Sequence, residues 1–71
     1  MNPLPREADI WCFNGLGAKF YYLVTEYTVQ DPDRWDADSV TLMPLSEWEP
    51  STIKETVSKL KADTKRWIFI A

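Results

Sequence analysis

The sequence predicts a mainly β fold, a small barrel of about five short strands with one helical turn before the last strand. Runs rich in Tyr, Val, Ile and Thr alternate with turns rich in Gly, Pro, Asn and Asp, which is the pattern of strands joined by tight connections. The 71 residues are enough for one domain, spanning 1–71. So short a chain can hide five strands only when one sheet curls until its edges meet.

The first half of the chain contains two predicted strands and an acidic loop. Residues 1–7 form an extended lead-in, because two prolines restrict the backbone. A strand is expected over 8–13, and NGLG, 14–17, then turns the chain, because Asn14-Gly15 supports positive φ and Gly17 is a second permissive site. Residues 19–30 suit a long second strand. The stretch 31–38, DPDRWDAD, has the composition of a polar loop.

The second half contains one segment whose pattern is ambiguous. A third strand is expected over 39–45, and RWIFIA, 66–71, closes the chain as the last strand. Between them, apolar residues recur at helical spacing, yet TIKETV is β-branched at four of six positions. We therefore predict a strand over 52–57 followed by a helical turn over 58–63. The alternative is one helix at about 51–62 in an α+β fold, packed on an antiparallel sheet.

Composition argues against catalysis and against a bound cofactor or metal. The chain has no histidine, so a Ser–His or Cys–His nucleophile pair is impossible. Cys12 lies within an apolar run and is expected to be a buried, inert thiol. The spacing of Asp31 and Asp33 resembles the start of a calcium loop, but Trp35 occupies the next ligand position and the central glycine is missing. One thiol and no apolar leader point to a cytoplasmic protein.

The stretches PREADIW, YYLV and VSKLKADTKRW resemble a group of small, largely uncharacterised bacteriophage proteins. The resemblance covers most of residues 5–71 and implies an SH3-like barrel, with no catalytic residues to carry over. That group usually has glycine where this chain has Ala8.

Both faces of the first hairpin are apolar, so one of them needs a cover or a partner. We expect the barrel to be lined by eight residues: Ile10, Cys12, Tyr21, Leu23, Val40, Leu42, Leu60 and Ile68. The opposite faces and the loops would then supply an exposed aromatic patch that binds a partner: Trp11, Phe13, Tyr22, Trp35 and Trp48. In the alternative, the lead-in and Trp48 fold over this patch as lids.

The function predicted from these features is that of a non-enzymatic protein–protein interaction module. The resemblance to bacteriophage proteins implies a phage-encoded accessory protein that acts on a host or viral protein. Four aspartates of the acidic loop would steer a basic partner: Asp31, Asp33, Asp36 and Asp38. One alternative is a structural subunit or homo-oligomer that uses the same patch. Another is nucleic-acid binding through Lys61, Lys65 and Arg66, although the net charge of −3 argues against it. No membrane partner is expected.

Overall fold

The computed structural model describes residues 2–45 and 51–71. These residues form one antiparallel sheet of five strands: β1 (Ile10–Gly15), β2 (Ala18–Thr28), β3 (Ser39–Pro44), β4 (Ile53–Thr56) and β5 (Trp67–Phe69). A short 3-10 helix, Trp35–Ala37, precedes β3, and a helix, α1 (Val57–Ala62), precedes β5. The predicted mainly β fold, with a helical turn before the last strand, is therefore confirmed.

The strand order across the sheet is β4-β3-β2-β1-β5, so the last strand lies beside the first. The helix α1 contacts both edge strands, β4 and β5, and so covers the opening between them.

The ambiguous segment divides into a strand and a helix, as preferred from the sequence, and the continuous helix over 51–62 is wrong. Ile53–Thr56 pairs with β3, where its β-branched residues suit the pleated backbone. The side chain of Thr56 then accepts a hydrogen bond from the Lys59 N–H and caps α1. Because Thr56 both ends β4 and caps α1, the chain changes from strand to helix within one residue.

The turn between β1 and β2 lies in the second half of the predicted NGLG turn. Gly15 pairs with Ala18, which leaves Leu16 and Gly17 as a two-residue loop with φ of 56° and 75°. Positive φ at both positions is the geometry of the turn that matches the twist of paired strands. Leu16 is 96% exposed and adopts a conformation that a leucine takes only with strain.

The first strand begins later than expected because of the backbone at Ala8. This residue has φ of 73°, in the left-handed region that glycine adopts without strain. Its N–H nevertheless donates to the Val24 carbonyl. The kink separates the lead-in from β1, which starts at Ile10 rather than at residue 8.

The core lies on the face of the sheet that was expected to be open. The buried cluster consists of Trp11, Tyr22, Val24, Val40, Leu42, Val57, Leu60 and Trp67. The predicted lining is right for Val40, Leu42 and Leu60. For β1, β2 and β5 the two faces were exchanged, because the larger aromatic rings face inward and bury more apolar area.

The lead-in is fastened across the helix and the last strand. The Asn2 side-chain amide donates to the carbonyls of Leu60, at 2.9 Å, and Trp67, at 2.6 Å. The Asn2 backbone N–H donates to the Lys61 carbonyl, and Pro5 is fully buried. The extended segment thus packs against the core.

Candidate functional site

The face of the sheet that points away from the core carries a second set of apolar side chains. Because β1 pairs with both β2 and β5, and β2 pairs with β3, residues of alternate positions form rows across four strands. One row consists of Ile68, Cys12, Tyr21 and Leu45, and the next consists of Ile70, Ile10, Leu23 and Met43. We call these eight residues the outer patch.

The margins of the outer patch follow from backbone hydrogen bonds just beyond the strands. The Leu45 N–H donates to the Tyr21 carbonyl at 2.9 Å, which extends the register of β2 and β3 by one residue. The Ile70 N–H donates to the Ile10 carbonyl at 3.0 Å, which keeps Ile70 beside β1. Both side chains are exposed and lie at opposite edges of the patch.

Most of the outer patch is open to solvent. Five of its side chains are between 37% and 49% exposed: Tyr21, Met43, Leu45, Ile68 and Ile70. Ile10 and Leu23 are half-buried, and Cys12 is buried in the row between Tyr21 and Ile68. Side chains of this size at this exposure present apolar area on the order of 500 Å², within the range of the largest patches on monomeric proteins.

Polar side chains bound the outer patch along the strand direction. Beyond the row of Cys12 and Tyr21, Asn14 pairs with Lys19. Beyond the row that contains Leu23, Glu26 pairs with Thr41 after an irregularity in β2. An apolar centre with polar margins is the composition of a protein interface, whose core excludes water while its rim remains solvated.

The predicted aromatic patch does not form. Trp11 and Tyr22 lie in the core, so their assignment to an exposed surface is wrong. Phe13 is half-buried and packs against Trp67, with ring centroids 5.0 Å apart. Trp35 is exposed on the 3-10 helix, and Trp48 lies outside the described residues.

Two of the four predicted steering residues of the acidic loop are exposed. Asp33 and Asp36 are exposed and Asp31 is half-buried. Asp38 is 5% exposed and accepts a hydrogen bond from the Tyr27 hydroxyl, so its assignment to a steering surface is wrong. It leads directly into β3, which turns its side chain towards Tyr27 at the edge of the core.

The contact with Asp38 changes the acidity of Tyr27. Burial raises the pKa of Tyr27 to about 12, and the hydrogen bond from its hydroxyl to Asp38 and the negative charge of that carboxylate act in the same direction. All three effects favour the neutral phenol, which keeps its proton at neutral pH. The pair is therefore a structural link between β2 and the start of β3.

The basic residues of the C-terminal segment are largely engaged within the chain. Lys59 lies 3.8 Å from Glu55 and Arg66 lies 3.2 Å from Asp63. The Lys61 ammonium lies 4.9 Å from the centroid of the Trp35 ring, in cation–π geometry. Because these side chains already have partners within the chain, they are less available to bind the phosphates of a nucleic acid.

Within residues 2–45 and 51–71, no cluster of three or more His, Cys, Asp or Glu side chains could hold a metal ion. A cleft of about 300 Å³ is lined by Pro3, Leu4, Arg6, Asp9 and Phe69. The Asp9 carboxylate there already accepts hydrogen bonds from the Arg6 backbone N–H, at 2.8 Å, and from the Trp11 indole N–H, at 3.4 Å.

In the described part of the chain, no helix has the length and hydropathy needed to cross a bilayer.

The fold and the surface together define a small β domain. One apolar face of its sheet lies in the core, and the other apolar face is exposed. Comparison of the chain with protein-family models, with curated proteins and with solved structures finds no match. Sequence reasoning missed the outer patch because both faces of the first hairpin are apolar. The signal that separates them is Asn14 and Lys19, which extend the outer face with polar residues, whereas the inner face continues with Phe20.

Proposed function

We propose that this protein is a non-enzymatic protein–protein interaction module that binds its partner through the outer patch. The observation that supports this function is a pair of apolar rows spanning four strands, with five side chains exposed. An apolar patch of this size is at the upper end of what a monomeric protein exposes, and patches of that size are often functional. Tyr21, on the central strand, has the residue type and position typical of an interface hot spot.

The size of the patch is sufficient for specific association. Burying on the order of 500 Å² of apolar surface contributes about 12 kcal/mol at about 25 cal/mol per Å². Association itself costs about 4–15 kcal/mol in lost freedom of motion. Because these quantities are comparable, affinity depends on how well the partner fits the patch and pairs with its polar margins.

Two kinds of partner fit this surface. One is a host or viral protein, as the resemblance to bacteriophage proteins implies for an accessory protein acting in the host-cell cytoplasm. The other is a second copy of the chain. For a basic foreign partner, the exposed acids Asp33 and Asp36 would raise the rate of encounter more than the final affinity.

Site-specific photo-crosslinking tests the proposal. A photoreactive phenylalanine derivative replaces Tyr21 in the full chain, and the same group replaces Val29, which is 59% exposed outside the patch, as the matched control. We expect crosslinks to a protein chain, foreign or identical, at position 21 and much weaker ones at position 29. Equal crosslinking at both positions, or none at position 21, would contradict the proposal.

A further inference from the structure

We propose that the partner of the outer patch is a second copy of this chain, docked face to face about a two-fold axis that runs across the strands. In this dimer β2 of one copy lies over β2 of the other with the opposite direction. The inference rests on the proposed function, because it identifies the protein that the outer patch binds.

The outer patch has charges of opposite sign at the two ends of its central strand. Lys19 precedes the apolar rows and is exposed, opposite Asn14. Glu26 follows the rows and is exposed, opposite Thr41. The Thr28 hydroxyl donates to the Glu26 carboxylate at 3.2 Å, which holds that carboxylate on the outer face.

The spacing of these charges matches the two-fold axis. The middle of the two rows on β2 lies level with Tyr22, between Tyr21 and Leu23. Lys19 is three residues to one side of this point. Glu26 is four residues to the other side. The irregularity between Val24 and Glu26 places one extra residue in β2, so these four residues advance along the sheet by only three pairing positions. At about 3.3 Å per residue, each charge is therefore about 10 Å from the middle.

A two-fold axis across the strands therefore places Lys19 of each copy over Glu26 of the other, which gives two equivalent ion pairs. An axis along the strands would instead bring the two Lys19 ends together and the two Glu26 ends together. Like charges facing each other across an interface are unfavourable. The charges thus select the antiparallel arrangement.

The area is adequate for such a dimer. A stable interface of standard size buries about 800 Å² on each partner. The outer patch supplies on the order of 500 Å² of this as apolar surface. The remainder comes from the polar margins that carry Lys19, Glu26, Asn14 and Thr41. In an isologous dimer the outer patches of both copies are buried together, since each patch is covered by the same patch of the other copy.

The test is the solution mass of the pure full chain, measured by light scattering over a concentration series at low ionic strength. We expect a dimer that dissociates on dilution. Lys19→Glu and Glu26→Lys should each raise the dissociation constant about tenfold, because each places like charges together twice per dimer. The double variant Lys19→Glu/Glu26→Lys restores the pairs with reversed sign and should return the constant to within about threefold of the original.

Two controls keep the result interpretable. Circular dichroism establishes that each variant is folded, and Lys19→Gln with Glu26→Gln provide neutral versions that should weaken the dimer less than the reversals. Tyr21→Ser should abolish dimerisation regardless of charge. A dimer that is indifferent to Tyr21→Ser, or single reversals that leave the dissociation constant unchanged, would overturn the inference, as would a double variant that is not restored.

A chain that is monomeric at every concentration would also overturn it. If position 21 still crosslinked a foreign protein in that case, the proposed interaction function would stand and only the identity of the partner would be wrong. If position 21 captured no protein either, both proposals would fail.

Discussion

The exchange of faces predicts that two leucines, three residues apart in the sequence, respond very differently to the same substitution. Leu42 is 0% exposed in the core, and Leu45 is 49% exposed on the outer patch. Leu42→Ala removes buried methyl groups and leaves a cavity, which costs about 2–5 kcal/mol. Leu45→Ala removes atoms that are already half in water and should cost less than about 1 kcal/mol.

These magnitudes are large for so small a domain. A chain of this length has a free energy of unfolding of about 4–10 kcal/mol, so at the middle of both ranges Leu42→Ala removes about half of it. With a urea dependence of about 1 kcal/mol per M, the unfolding midpoint should fall by about 3 M. The assay is urea unfolding followed by tryptophan fluorescence, at a concentration where light scattering finds monomer.

The control is the comparison itself, because residue type and substitution are the same. Near-equal losses of stability, or a larger loss for Leu45→Ala than for Leu42→Ala, would refute the placement of the core. A variant with a changed urea dependence would have a folded or unfolded state that differs from that of the wild type. The pair Val40→Ala and Met43→Ala would then replace the two leucine variants.

Three further predictions concern the turn, a titrating pair and the lead-in. Leu16→Asn should raise the free energy of unfolding by about 1 kcal/mol, because asparagine tolerates positive φ better than leucine; Leu16→Val, the control, should lower it. The pKa of Tyr27 is raised from its ordinary value of 10.0 to about 12 in the folded chain, so its contribution to stability is present below pH 10 and is lost between pH 10 and 12. Relative to Tyr27→Phe, the wild type should lose about 1–2 kcal/mol over that interval, partial exposure being allowed for; parallel pH profiles would disprove the shift. Asn2→Ala should destabilise the chain by about 1–2 kcal/mol and speed amide exchange at the start of the chain, because two carbonyls lose their donor; unchanged exchange would show that the lead-in is held by other contacts.

The strands and the helical turn before the last strand were accessible from the sequence because local chemistry favours them. The β-branched residues of TIKETV predicted a strand and then a helical turn, as the structure has it, whereas the cap at Thr56 is seen only in the structure. The exact turn was not accessible, since Asn14-Gly15 is the better turn sequence on propensity alone. Pairing of Gly15 with Ala18 across the strands overrides that propensity.

The candidate site was predicted on the wrong face because apolar residues occupy both faces of β1 and β2. Alternation alone distinguishes two faces without saying which one is inside. The size of the rings decides this, because Trp11 and Tyr22 bury more area than Cys12 and Tyr21. The polar neighbours Asn14 and Lys19 point to the same answer.

The burial of Asp38 could not be predicted from its neighbours in the sequence, for a different reason. An acidic run predicts a solvated loop, and Asp33 and Asp36 follow that expectation. The hydrogen bond from the Tyr27 hydroxyl joins Asp38 to a residue eleven positions earlier, on another strand. Only the folded chain brings these two residues together.

The most direct measurement of the central claim is hydroxyl-radical footprinting of Tyr21 and Tyr22, read by mass spectrometry at a concentration where the chain is monomeric. The two residues are adjacent and chemically identical, yet Tyr21 is 43% exposed and Tyr22 is 6% exposed. The account predicts rapid modification of Tyr21 and protection of Tyr22 until the chain unfolds. Modification of Tyr22 as fast as, or faster than, that of Tyr21 would contradict it, because the exposed face would then be the one that carries Trp11, Tyr22 and Val24.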